Sequence, residues 1–213
     1  IRKNPKIFCG FSDITALLNG IYAQIGLVTF SGPHYSSFGM ARGFDYTLEH
    51  VRNMLCGKGG YVVEPSKEWS DDLWFIDQNK RDFIANEGTI IGGNLGTFDL
   101  LLGSPYRPAF KKNTVLFVEN CFGSAGDDTT FLRELQALAY QPDFINVKAV
   151  VIGRFQKASE ISREKLEYII NSIPQLKELP VIANVDFGHT TPMLTLPIGG
   201  RCEITSDGIQ VQI

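Results

Sequence analysis

Three residues of this 213-residue chain have the types that acyl transfer needs: Ser12, Glu119 and His189. Ser12 lies in "PKIFCGFSDITALLNG", residues 5–20. Ile7-Phe8-Cys9 reads as a buried strand and Gly10 as a sharp turn. Ile14, Leu17, Leu18 and Ile21 then recur at helical spacing. Strand, Gly-x-Ser, helix is the layout of a nucleophile elbow, which lifts a serine hydroxyl to where backbone N–H groups converge. The usual second glycine is missing, because Ile14 stands there. Ser12 or Asp13 capping the helix fits these residues equally well.

Glu119 ends the apolar run Val115-Leu116-Phe117-Val118. A carboxylate is rare in such a stretch unless it is paired. At a strand end it can accept a histidine N–H and fix the ring's tautomer; a strand-end glutamate facing water is the alternative. His189 follows the strand-like "VIANVDFG". Sites in open α/β sheets gather beyond the carboxyl ends of strands, although a loop histidine bonded to its own backbone also fits. The order Ser, acid, His occurs in α/β-hydrolases, but triads recur on unrelated folds in several orders. The absence of an "HGGG" segment disfavours an ordinary hydrolase.

Other candidates carry less. His34, after Gly32-Pro33, is a possible functional loop residue, and His50 reads as a surface residue of a helix. "GGNLGT", residues 92–97, has an anion-binding look at a helix start. It lacks a phosphate-loop lysine and dinucleotide spacing, and reads better as a structural turn. The Asp pair at 71–72 could suggest metal ligands, whereas 127–128 suits a helix N-terminus.

Strands alternate with helices, which means α/β with at least part of the sheet parallel. The strand-like runs are "TIIGG", "NTVLFVEN", "VKAVVIGRF" and "PVIANVDFG". "NLGTFDLLLG", "DDTTFLRELQALAY" and "SREKLEYIINSI" read as helices, the last opened by Ser162. "CEITSDGIQVQI" reads as a hairpin turning near Asp207-Gly208. Residues 61–88 are polar, with interspersed aromatics and no clear period, and read as a connector or active-site flap.

The chain is 44% hydrophobic and 20% charged, with net charge −3. No block of like charge supports nucleic-acid binding. No apolar run reaches the ~18 residues of a membrane span, and no secretory signal is visible. Cys9, Cys56, Cys121 and Cys202 have neither zinc-type nor redox-type spacing. Buried thiols in a reducing compartment are expected, hence a cytoplasmic location. The chain starts at Ile1, and its first strand needs sheet neighbours that the first sixty residues hardly supply. A portion of a longer protein is therefore expected.

Together, "PKIFCGFSDITALL", "FSGPH", "IIGGNLGTFDLLLGSPYRP", "VLFVEN", "VVIGRF" and "ANVDFGHTTPMLTLPIGG" resemble the LD-carboxypeptidase family of serine peptidases, in family order across nearly the whole chain. The family includes enzymes that trim a D-amino acid from murein tetrapeptides, in peptidoglycan recycling. It also includes microcin C immunity-type peptidases that cleave an aspartyl amide in a toxic nucleotide-peptide. "EWSDDLWF" is more similar to the second branch.

The resemblance implies Ser12 as nucleophile, Glu119 as triad acid, His189 as base and the Asp13 backbone N–H as one oxyanion donor. The other donor would lie upstream of the chain, leaving these 213 residues alone weakly active or inactive. The implied architecture is the end of a flavodoxin-like N-terminal α/β domain (1–60), a connector (61–88) and a C-terminal swivelling-type α/β domain (89–213). The implied partners are a small peptide or peptidyl-nucleotide substrate and a second copy in a homodimer. No cofactor, metal, nucleic acid or membrane is implied. Arg42, Arg107 and Arg154 are candidates for a substrate carboxylate, and Trp74 for stacking on a nucleobase or packing the flap. An inactive ligand-binding homologue is the alternative function.

Overall fold

The structure, a computed structural model, describes residues 1–67, 74–76, 88–121, 127–205 and 208–213, with 74–76 described by backbone alone. Within them the chain is mixed α/β. Four parallel strands form the centre of the main sheet: β5 (Gly88–Asn94), β6 (Thr114–Glu119), β7 (Val147–Gly153) and β8 (Val181–Val185). Their carboxyl ends share one edge, because Asn94 pairs in register with Glu119, and Gly153 with Val185.

The run Val115–Val118 is apolar at every position because this strand is covered on both faces. Leu116 and Val118 face one core with α4 (Asp127–Ala139) and α5 (Arg163–Ser172), through Phe131, Leu135, Leu166 and Ile170. Val115 and Phe117 face a second core with Leu18, Phe30, Leu196 and Ile198. Ser162 caps α5 by accepting a hydrogen bond from the Lys165 N–H, as its sequence suggests.

The first residues build a smaller sheet beside the second core. β1 (Cys9–Gly10) runs parallel to β2 (Thr29–Ser31), and β2 pairs antiparallel with β9 (Leu196–Ile198). Helix α1 (Ile14–Ile25) connects β1 to β2 and ends at Gly26, whose φ of 70° lets its N–H reach the Tyr22 carbonyl. α2 (Phe44–Leu55) follows. The C-terminal hairpin of β10 (Arg201–Thr205) and β11 (Gly208–Gln212) is as expected.

Several expectations need correction. Part of the supposed connector is strand: β3 (Gly60–Val63) pairs with β11, and β4 (Trp74–Ile76) pairs antiparallel with β8 at the other edge. Residues 68–73 and 77–87 lie outside the described residues, and with them Asp71 and Asp72. Leu17, counted with the apolar stripe of α1, is 59% exposed; the buried face is Thr15, Leu18, Asn19 and Gly20. The helix turns this polar pair inward because β5 offers backbone groups to meet it. His50 is buried, not on the surface: Nδ1 lies 2.7 Å from the Tyr46 carbonyl, and the ring packs on Tyr61. Burial lowers its pKa. Of the cysteines expected to be buried, Cys56 and Cys121 are exposed.

Candidate active site

Ser12 stands between β1 and α1 with φ of 61°, in the left-handed region. A non-glycine residue rarely adopts that conformation and keeps it only where its surroundings over-determine it. Asp13 holds the helix N-cap position without a side-chain capping bond. Backbone bonds shape the turn instead: Ile14 N–H to the Phe11 carbonyl (3.2 Å) and Thr15 N–H to the Ser12 carbonyl (2.9 Å).

Helix α1 is aimed by its buried polar side chains. Asn19 donates from Nδ2 to the Gly92 carbonyl (2.8 Å), and the Asn94 N–H donates to Thr15 Oγ1 (3.0 Å). The start of α1 is thereby tied to the carboxyl end of β5, next to Glu119. Gly92 and Gly93 permit this approach. A β-carbon on Gly93 would come within 2.6 Å of Thr15 Oγ1, and one on Gly92 would overlap the Phe117 carbonyl. Asn94 also caps the short helix α3 (Leu95–Asp99), accepting from the Thr97 N–H at 3.0 Å. "GGNLGT" is thus a structural turn with a capped helix.

Glu119 is 1% exposed and lies 2.7 Å, through Oε2, from Nδ1 of His189. A carboxylate oxygen accepts here, so Nδ1 carries the proton and Nε2 is left as an acceptor. Oε1 is buried with no hydrogen-bond partner among the described residues. Two glycines make room for the carboxylate. A side chain at Gly188 (φ 95°) would run into it, and one at Gly153 would come within 2.8 Å of the Glu119 β-carbon.

The loop carrying His189 is anchored at both ends. Arg154 Nε and Asp186 Oδ1 form an ion pair at 2.5 Å, with both side chains at most 2% exposed. Asp186 also accepts the Ser66 N–H through Oδ2 and the Leu194 N–H through its carbonyl, each at 2.7 Å. Gln156 Nε2 donates to the His189 carbonyl at 3.3 Å.

The expected residues fare differently. Glu119 and His189 are in direct contact. Ser12 meets them through its neighbour: the Phe11 ring packs edge-on against His189, centroids 5.0 Å apart. Arg154 was a candidate for a substrate carboxylate, but it is buried against Asp186, beneath the histidine loop. Arg107 is bound to Asp143 at 2.9 Å. Arg42 lines an open cavity of about 820 Å³ with Tyr46, His50, Tyr61 and Lys67; none of Ser12, Glu119 or His189 lines it. The Trp74 side chain lies outside the described residues.

Thr15, Asn19, Asn94 and Asp186 were not singled out from sequence. Polar residues four apart, Thr15 and Asn19, in a mostly apolar helix were the available signal. Behind the site, Asn120 donates a hydrogen bond to Glu134. Burial, then the Glu134 charge, raises the Asp99 carboxyl to about 7. Burial also raises Glu134, against the lowering effect of Asn120. Among the described residues no cluster of three His, Cys, Asp or Glu could hold a metal ion, and no helix is long and apolar enough to cross a membrane.

A buried Glu–His pair thus stands at strand ends beside a left-handed Ser turn in a mixed α/β fold, and comparison with known proteins gives the family. Residues 87–204 match the LD-carboxypeptidase C-terminal domain, and residues 1–32 match the LD-carboxypeptidase N-terminal domain. The chain belongs to the LD-carboxypeptidase family. It is 46% identical over 215 residues to the putative carboxypeptidase YocD of Bacillus subtilis, covering 96% of this chain and 65% of that protein. It is 33% identical to the microcin C7 self-immunity protein MccF of Escherichia coli, covering 100% of this chain and 67% of MccF.

Among solved structures, an MccF-like protein from Bacillus anthracis superposes with a TM-score of 0.90 at 40% identity, covering all of this chain and 69% of that one. MccF in complex with glutamyl sulfamoyl guanosine gives 0.80 at 30% identity, with the same coverage. Muramoyltetrapeptide carboxypeptidase from Oxalobacter formigenes gives 0.75 at 26%, covering 98% of this chain and 69% of that one. The chain thus spans about two thirds of its relatives' length.

Proposed function

We propose that this chain supplies the Ser12–Glu119–His189 triad of a serine-type carboxypeptidase that cleaves an amide in an aminoacyl nucleotide or a murein tetrapeptide. The observation that carries the reading is the 2.7 Å contact between His189 Nδ1 and buried Glu119 Oε2. It leaves Nε2 as the acceptor for a serine proton. In this mechanism His189 Nε2 takes the proton from Ser12 Oγ as Oγ attacks the substrate carbonyl carbon. The Asp13 N–H, at the positive end of α1, stabilises the oxyanion. His189 then protonates the departing amine, and water hydrolyses the Ser12 ester by the same base. Glu119 keeps the imidazole in its tautomer and stabilises the imidazolium.

The preferred substrate class is an aminoacyl nucleotide. Supporting it are the higher identity and structural overlap with MccF, which binds glutamyl sulfamoyl guanosine, than with the muramoyltetrapeptide enzyme. A murein tetrapeptide is the second reading, carried by that enzyme's similarity over 98% of the chain.

The test offers the intact protein both an aminoacyl sulfamoyl nucleotide and a murein tetrapeptide and identifies the products. Cleavage of the nucleotide conjugate, abolished in Ser12→Ala, is expected. Cleavage of the tetrapeptide alone would move the chain to the murein branch. Fluorophosphonate labelling that survives Ser12→Ala would remove the serine assignment.

A further inference from the structure

We infer that His34 is a positioning residue that holds the Ser12 turn and the His189 ring together through Phe11. The inference rests on the triad reading above. Strands β1 and β2 are parallel neighbours, so the loops leaving their carboxyl ends lie side by side, and Gly32 N–H bonds to the Gly10 carbonyl at 3.1 Å. The β2 loop turns immediately into a 3-10 turn, Tyr35–Gly39. Within it the His34 N–H donates to Ser37 Oγ (3.1 Å), and the Ser37 N–H donates to the His34 carbonyl (3.0 Å). This fixes the backbone from which the imidazole projects.

The ring lies flat on Phe11, centroids 4.1 Å apart and 20° between planes. Its Nε2 is 3.2 Å from the Phe11 nitrogen and 3.2 Å from the Phe11 carbonyl oxygen. With Nδ1 protonated, Nε2 accepts the Phe11 N–H. A side chain at Gly10 would crowd this ring, coming within 3.2 Å of His34 Cδ2. The Phe11 ring also meets the His189 ring, centroids 5.0 Å apart and 77° between planes. Phe11 is therefore in ring contact with two imidazoles, one residue before Ser12.

This arrangement meets a physical need. The left-handed conformation of Ser12 persists only if neighbouring groups enforce it, and Asp13 contributes no capping bond. The hydrogen bond from the Phe11 N–H and the stacked ring act on the residue that sets the turn's entry. The Phe11 ring limits how far the His189 ring can tip. His34 would touch no reacting atom; it sets the distance between the groups that do. Displacement of about 1 Å in such a pair lowers rates ~10²-fold.

The experiment measures fluorophosphonate labelling rate, kcat and KM in the intact protein for wild type, His34→Leu and His34→Gln. Leu removes the acceptor and the stack, while the Gln Oε1 can still accept the Phe11 N–H. Expected are a ~10–100-fold fall in labelling rate and kcat for His34→Leu with KM nearly unchanged, and recovery to within ~3-fold for His34→Gln. Wild-type rates in His34→Leu would overturn the inference, as would equal slowing of both variants. If His34→Leu does not fold, His34→Asn replaces it. Its shorter side chain falls short of Phe11, and rates equal to those of His34→Gln would again overturn the inference. Labelling that persists in Ser12→Ala would instead bring down the triad reading, which separates the two failures.

Discussion

His189 Nδ1 sits 2.7 Å from Glu119 Oε2 across seventy residues of chain, and the carboxylate is almost wholly buried. A buried carboxylate is costly unless it is paired and hydrogen-bonded, and this imidazole is its partner. Glu119→Gln keeps shape and volume but can turn an amide N–H toward Nδ1, which forces the wrong tautomer. A fall in kcat of about 10³–10⁴ with a small change in unfolding midpoint is expected. Steady-state kinetics beside urea melts check it, and unchanged kcat would detach Glu119 from the chemistry.

The φ of 61° at Ser12 predicts a trade between stability and activity. Glycine adopts that conformation without the steric clash that any β-carbon meets. Ser12→Gly should be more stable than Ser12→Ala by ~1 kcal/mol, with both variants unlabelled by fluorophosphonate. Urea denaturation of the two variants measures the difference; equal stability would mean that the turn is unstrained.

The Arg154–Asp186 pair predicts a larger stability effect than any surface ion pair. Both groups are out of water, so removing Asp186 leaves a buried guanidinium without its carboxylate. Asp186→Ala should destabilise by ~3–5 kcal/mol. The double variant Arg154→Met, Asp186→Leu should recover much of that loss. A double-mutant cycle in urea reports the coupling, and additivity of the two single losses would contradict it.

The Asp99 carboxyl, raised from 3.8 to about 7 by burial and then by Glu134, predicts a pH dependence. Between those values the folded chain keeps a proton that the unfolded chain has released. Stability from this group is therefore highest below pH ~4 and falls as pH rises toward ~7. Asp99→Asn should match wild type at pH 4 and exceed it at pH 8 by ~1–2 kcal/mol, a figure discounted for the group's partial exposure. Thermal melts across that range test the sign; a variant less stable than wild type at pH 8 would reverse it.

The local chemistry was legible in sequence. Val115–Val118 announced a buried strand, Ser162 announced a helix start, and the Gly-x-Ser turn announced a helix beginning just after Ser12. These are short-range facts, fixed by side-chain periodicity and by which residues tolerate turns. Their resemblance to one family was carried by motifs in order along the chain, and residues 1–32 and 87–204 match that family's two domains.

Long-range pairing was not legible. His50 has the flanking charges of a surface residue, yet a tertiary contact with Tyr61 encloses it. Gly60–Val63 shows no strand period, yet β11 supplies hydrogen-bond partners along its length. Arg154 has the charge to meet a substrate, but Asp186, thirty-two residues away, takes it into the interior. Sequence alone determined which residues could act and which elements carry them, because those depend on local sterics and polarity. Only the tertiary structure decided that Glu119 meets His189, and that Phe11 touches both His34 and His189. Those relationships come from strand register and from which faces are covered, and neither is encoded within a few residues of the groups it joins.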